Sequence, residues 1–298
     1  MAVLRIATDS TADVPAALAA ELQIAVIPCQ VFWGNEIYRD GVDLPPQEFY
    51  QKLARSVDLP KTSQPPVSRF VETYHRLLDA EGSEAVISIH VAGNLSGTVN
   101  AAWTAAQTLT EPSQIEVVDS GQVSMGMGWA VIEAARMAQA GATRSDVSRA
   151  VHEMLPGLRA AAMIDTLENL YKGGRINQVT AALGTVLQVK PLIKIQSGEI
   201  EVTERVRTRS RALKRLVAMM RGWGPLAEVA VLHADAEELA QELAAMIADM
   251  APYREIMVEP AGLALTTHLG LGAVGVCAVV AGDGKQQVIG QDGKGYHG

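Results

Sequence analysis

The sequence predicts an α/β protein in two domains: an N-terminal domain on a parallel sheet, and a C-terminal α+β domain with a largely antiparallel sheet. Three observations predict it. Up to about residue 155, short apolar runs alternate with helical segments, the pattern of repeated strand–helix units. Beyond it, two β-rich runs meet around Ser197-Gly198, a hairpin signal. And 48% of the 298 residues are hydrophobic, enough to bury a substantial core and far from the composition of a disordered chain. The divisions read as 1–155, 156–282 and a polar tail, 283–298.

Each element has its local reason. Val3–Thr8 is an apolar strand ended by Asp9-Ser10-Thr11, residues that cap helices, and Pro15 suits the first turn of a helix to Leu22. Ile24–Phe32 reads as a second strand, Trp33–Asp43 as a polar, hairpin-like excursion, and Pro46–Arg55 as a short helix. Leu59–Pro66 is expected to be a loop leading into the helix Val67–Ala80. Strand Ala85–Val91 is followed by a tight loop and an Ala-rich helix, Val99–Leu109. Strand Gln114–Val118, the turn Asp119-Ser120-Gly121 and a helix through Ala140 complete the first half.

In the second half Thr143 caps a helix, Ser145–Leu155, before strand Leu158–Ile164. Leu192–Ile195 and Glu199–Arg207 are the hairpin arms. A helix (Ser210–Arg221), a strand (Glu228–His233), a helix (Ala236–Met250) and strands Glu255–Pro260 and Gly275–Ala281 follow. From Ala261 to Gly282 there is no Asp, Glu, Lys or Arg, a length that could span a bilayer. Its histidine, threonines and glycines favour a loop leading into a buried strand, so no membrane span is expected. The tail is expected to fray or form a terminal hairpin.

Charge and cysteines narrow the function. A net charge of −8 and a pI near 5.3 argue against a general nucleic-acid binder. Cys29 and Cys277 lie in apolar runs and read as buried thiols of a reducing compartment; with no secretion signal at the start, the cytoplasm is the expected location. A local basic cluster, Lys172-Gly173-Gly174-Arg175 with Arg205, Arg207, Arg209, Arg211, Lys214 and Arg215, is a candidate docking surface for something anionic.

Two hydroxyl-rich segments carry the chemistry: Lys61-Thr62-Ser63-Gln64-Pro65 and Asn94-Leu95-Ser96-Gly97-Thr98. The second sits between a strand and a helix start, where free backbone N–H groups and hydroxyls suit a carboxylate or phosphate. Plain capping and turn formation explains each segment equally well when taken singly. Ser96 also admits a nucleophile's role with His90 or His268 as base, although a triad needs a third group to orient the histidine. The six histidines lack metal-ligand spacing, and for Asp9, Asp13, Asp40 and Asp43 caps and turn residues are the preferred reading over a magnesium site. Gly270-Leu271-Gly272-Ala273-Val274-Gly275 matches a dinucleotide pattern but leads into a β-favouring run, the wrong context for it.

Together with these segments, several others form an ordered set. They are Thr8-Asp9-Ser10-Thr11-Ala12-Asp13, Tyr38-Arg39-Asp40-Gly41-Val42-Asp43, Val118-Asp119-Ser120 with Ser124-x-Gly126-x-Gly128, Leu167-x-x-Leu170-x-Lys172-Gly173-Gly174-Arg175-Ile176, and Lys190-Pro191-Leu192 with Gly198 and Arg207-Thr208. In this order and spacing the chain resembles the DegV family, which includes the fatty-acid-binding subunit of bacterial fatty acid kinase. The resemblance implies a two-domain α/β protein that buries a long-chain, palmitate-like fatty acid and uses no cofactor or metal. It implies that Thr62 and Ser96 hold the carboxylate, with Ser63, Gly97, Thr98 and His268 beside them. It also implies that Arg175 and Arg207 form the basic, partner- or phosphate-facing set, with an ATP-dependent kinase subunit as partner and no catalysis by this chain. The alternatives are a serine acyl hydrolase or transferase using Ser96 and His268, and a lipid sensor with no kinase. One departure stands out: Gly270-Leu271-Gly272 replaces the Gly-Pro-Gly-like turn usual after the family's histidine.

Overall fold

The computed structural model describes residues 3–176, 189–196, 198–251 and 255–281. The tail expected at 283–298, and Ser197 of the hairpin turn, lie outside the described residues.

The N-terminal half is built on four parallel strands: β1 (Val3–Asp9), β2 (Ala25–Ile27), β6 (Ser83–His90) and β7 (Ile115–Asp119), in the order β2-β1-β6-β7. The last six residues of β6 are all buried, as a parallel strand covered on both faces requires. Helices α3 (Val67–Leu78) and α4 (Thr98–Gln107) cover one face through Phe70, Tyr74, Ala102 and Ala105.

The other face packs on α5 (Met125–Gln139), whose first eight residues are all buried. A helix apolar all round must be enclosed on all sides. Here the second enclosing surface is a six-stranded sheet formed by β8 (Leu158–Met163), β9 (Lys190–Gln196), β10 (Glu199–Val206), β11 (Leu226–His233), β12 (Met257–Pro260) and β13 (Val274–Val280). Its order is β10-β9-β8-β13-β11-β12, antiparallel except for the β11–β12 pair. One apolar core therefore runs from Ile87 and Ile89 through Met125 and Trp129 to Leu158, Ala160 and Cys277. Gly128 is needed for this closeness: a β-carbon there would stand 2.7 Å from the Ala12 carbonyl oxygen. Helices α8 (Arg209–Arg221) and α9 (Glu237–Ile247) bury Leu213, Leu216 and Leu243 against the far face of the six-stranded sheet.

Three expectations need correction. Ile24–Phe32 is not one strand: it breaks at Pro28-Cys29 into β2 and β3 (Gln30–Trp33), which lie in different sheets, since proline cannot donate to a ladder. The expected loop Leu59–Pro66 contains β5 (Lys61–Ser63), which pairs with β3 in a small antiparallel sheet of order β4-β3-β5, where β4 is Glu36–Arg39. And the expected loop after Ala261 contains a seven-residue helix, α10 (Leu263–Leu269), started at Gly262 and stopped by Gly270 at φ +77°.

Candidate functional site

The six-stranded sheet, β5, α10 and the segments that follow β1, β2, β6 and β7 enclose a cavity with about 1070 Å³ of empty space, the open mouth included. Its floor is one face of the six-stranded sheet. Along one row across the strands stand Ile193, Ala162, Gly275 and Leu232; along the next stand Ile195, Ala160 and Cys277. The central strands β8 and β13 thus present only small side chains, while β9 and β11 present branched ones. The result is an apolar trough with raised edges. Val91, Leu95, Leu265 and Leu269 line it from other elements.

Polar groups converge at the part of the cavity formed by β5, the turn before α4, the segment after α7 (Glu168–Lys172) and α10. Thr62 projects from β5, and its Oγ1 lies 2.7 Å from Nε2 of His268 on α10. Ser96 Oγ lies 2.7 Å from Thr98 Oγ1 and accepts from the Thr98 N–H at 3.3 Å. Arg175 donates through Nε to the Leu95 carbonyl at 3.2 Å and through its guanidinium to the Gly173 carbonyl. Ser63 and Gln64 complete the lining.

Burial holds the His268 imidazole down to about pKa 4, and the Arg175 charge pushes the same way, so the ring is neutral near pH 7. Its Nδ1 is buried without a partner among the described residues, and a β-carbon on Gly173 would stand 2.5 Å from it. Glycine at 173 therefore lets the ring sit flush against the backbone. An orphaned buried donor is rarer than an orphaned acceptor. This favours the proton on Nε2, donated to Thr62 Oγ1, and leaves the Thr62 hydroxyl hydrogen free to point elsewhere.

The sequence-derived residues divide accordingly. Thr62, Ser63, Ser96, Arg175 and His268 line one cavity. Thr98 touches it through Ser96, and Gly97 packs beneath the Gln64 amide, where a β-carbon would come within 3.0 Å of Nε2. Arg207 does not line it; it stands in a separate groove with Glu204, Arg205, Arg211 and Arg215. Among the described residues no carboxylate bonds His268, and Ser96 bonds Thr98 and no histidine. A different trio has triad-like connectivity: Ser88 Oγ to His90 Nε2 at 2.7 Å and His90 Nδ1 to Asp9 at 2.9 Å. All three are fully buried, and Tyr74 donates to Ser88, so no substrate reaches that serine.

Residues that sequence reasoning took for simple caps prove more consequential. Asp9 and Asp43 match the expectation: Asp9 accepts from the Thr11 N–H and Asp43 pairs with Arg39. Asp40, buried, and Asp13, half-buried, do more: both accept from the start of α10. Asp13 accepts from the Gly262 N–H at 3.0 Å and the Ser124 hydroxyl at 2.7 Å. Asp40 accepts from the Leu263 N–H at 2.8 Å and the Ser10 hydroxyl at 2.9 Å. Ser124 lines the cavity at φ +57°, ψ −154°, a conformation nearly reserved for glycine, and Asp13 has φ +51°. No group of metal-ligating side chains forms among the described residues, and no helix there is long and apolar enough to cross a membrane.

With this geometry in hand, comparison with known proteins is direct. The family model described as "Uncharacterised protein, DegV family" matches residues 3–281. The chain is 33% identical over 278 residues to Protein DegV of Bacillus subtilis, covering 92% of this chain and 98% of that protein. A structure reporting fatty acid binding of a DegV family protein from Thermus thermophilus superposes with a TM-score of 0.85 at 30% identity, covering 94% of this chain and all of that one. The structure of DegV, a fatty acid binding protein from Bacillus subtilis, gives a TM-score of 0.84 at 31% identity, with 94% and 100% covered.

Proposed function

The chain belongs to the DegV family, and from that premise we propose that it binds a long-chain fatty acid, with the carboxylate at Thr62 and Ser96 and the acyl chain along the trough. The observation that carries this reading is the division of one cavity into a hydroxyl-, histidine- and arginine-lined part and an apolar remainder. Burying a carboxylate is costly unless several donors meet it. The freed Thr62 hydroxyl and the Ser96 hydroxyl supply donors with Ser63, Gly97 and Thr98 beside them, His268 orients Thr62, and Arg175 supplies charge. The tail contributes about 0.8 kcal/mol per buried methylene, so affinity grows mainly with chain length. Solved relatives described as fatty-acid binders support the ligand class.

On this reading the N-terminal domain (1–155) supplies the hydroxyl loops and the C-terminal domain (156–282) the trough. The protein presents its ligand in the cytoplasm without chemistry of its own. An ATP-dependent kinase subunit that phosphorylates the carboxylate is the proposed partner, with Arg207 and its basic groove as a docking element. Organic extraction of the purified protein followed by mass spectrometry tests the ligand. A stoichiometric long-chain acid is the expected result. Recovery of none, together with no uptake of added palmitate, would overturn the reading.

A further inference from the structure

Helix α10 carries four cavity-lining residues, Ala264, Leu265, His268 and Leu269, so its position sets both the shape of the trough and the reach of His268 to Thr62. Its far end is tied by His268; its near end is tied by two carboxylates, Asp40 buried and Asp13 half-buried. A β-carbon on Gly262 would stand 2.9 Å from an Asp13 oxygen and 3.2 Å from an Asp40 oxygen. The two acids thus converge on one backbone position, and among the described residues neither is paired with a lysine or arginine. The titratable groups that face them are Asp9 from β1, Cys29 before β3, Tyr50 from α2 (Pro46–Arg55), Cys277 from β13, and each other; Asp235 reaches the cluster through Tyr50. His90 stands behind Asp9, bonded to it. None of these is a fixed cation.

We propose that Asp13 and Asp40 are positioning residues that act as a proton-dependent latch on α10, holding it closed over the cavity while the pair shares one proton and loosening it when both acids ionise. The hydrogen bonds divide the roles. Asp40 accepts from a backbone amide and a hydroxyl with no competing use for either. Asp13 can reverse its bond to Ser124, donating when neutral and accepting when charged. The charged form strengthens its bond to the Gly262 N–H but meets desolvation and two like charges, and the latter pair of effects is the larger. In keeping with this, burial, with Asp40 and Asp9 adding to it, raises the Asp13 carboxyl to about 7, and burial raises Asp40 as well.

Hydrogen–deuterium exchange of the full chain, corrected for intrinsic rates, at about pH 6 and about pH 8 tests the latch. The expected result is a loss of protection across residues 263–269 of roughly tenfold at the higher pH, absent in Asp13→Asn, whose amide imitates the neutral acid. An equal pH response in wild type and Asp13→Asn overturns the proposal. Should that variant fail to fold, a carbon-13 NMR titration of the wild-type carboxyls decides: α10 amide shifts must follow the Asp13 midpoint, and an Asp13 ionised throughout this range overturns it. Palmitate affinity should carry the same pH dependence; that arm alone rests on the fatty-acid reading. If palmitate does not bind at all, that reading fails while the exchange result still judges the latch.

Discussion

Thr62 and His268 are 206 positions apart in sequence and meet at 2.7 Å, which makes them a sensitive pair to probe. On the proposed reading, Thr62→Ala and Ser96→Ala would each remove a donor to a buried carboxylate, a loss of about 1–3 kcal/mol. Calorimetric titration with palmitate should therefore register a weakening of roughly tenfold to a hundredfold for either variant. Acidity probes the histidine. Its folded pKa lies below the ordinary value, so neutral His268 favours the folded state above about pH 6.5, and that contribution is lost as pH falls towards about 4. Asp13 works in the opposite direction, its contribution fading as pH rises from about 4 towards 7. In the wild type the two slopes offset one another. Urea midpoints of His268→Gln should consequently decline more steeply between about pH 4 and pH 7 than those of wild type. That Thr62 and Ser96 matter together could be read only from the two hydroxyl-rich segments as a pair, since a cap or turn explains either one alone; the fold brings both to one cavity. Asp13 and Asp40 could not be read in this way, since an aspartate next to Ser, Thr or Gly looks like a cap until its partners are known.

At the scale of elements, what the sequence concealed was short. Lys61-Thr62-Ser63 has no apolar alternation, because β5 is an edge strand of a three-stranded sheet and its hydroxyls face a cavity instead of a core. Helix α10 is seven residues long, too short to show a period, and its Thr266-Thr267-His268 run has modest helix propensity. The longer elements were plain: β6 as a continuous apolar run, α5 as a helix with little polar face, and the β9–β10 hairpin from its turn. Strand pairing then creates what no single strand announces. The trough exists because Ala160 and Ala162 of β8 face Cys277 and Gly275 of β13. Ala162→Leu fills its middle. Such overpacking costs about 1–3 kcal/mol if the chain must yield, so the acyl chains retained by this variant, read by mass spectrometry of the extract, should shift to shorter lengths.

At the scale of the whole molecule, α5 joins two sheets into one core, and the cavity takes lining residues from the six-stranded sheet, from β5 and from the segments that follow the strands of the parallel sheet. A ligand in it touches parts far apart in sequence and so binds only the folded form. At a hundredfold excess over its dissociation constant such a ligand stabilises by about 2.7 kcal/mol. Protein stripped of lipid should melt several degrees lower than protein reloaded with palmitate, measured by calorimetry. The general architecture followed from the alternation of strands and helices, but the shared core did not, because periodicity reports which face of a helix is apolar and not what encloses it. The acidic chain with a local arginine groove likewise showed charge without position, and only folding separates Arg207 from Arg175.

The place of β13 has a bearing on how the protein is made. It is the last strand along the described chain, yet it lies inside its sheet, between β8 and β11. During synthesis the parallel sheet can form early, whereas β8 and β11 must wait, side by side with a gap, for a strand made after both. The floor of the cavity is thus completed only once β13 has been made, and the earlier strands cannot shape the cavity without it.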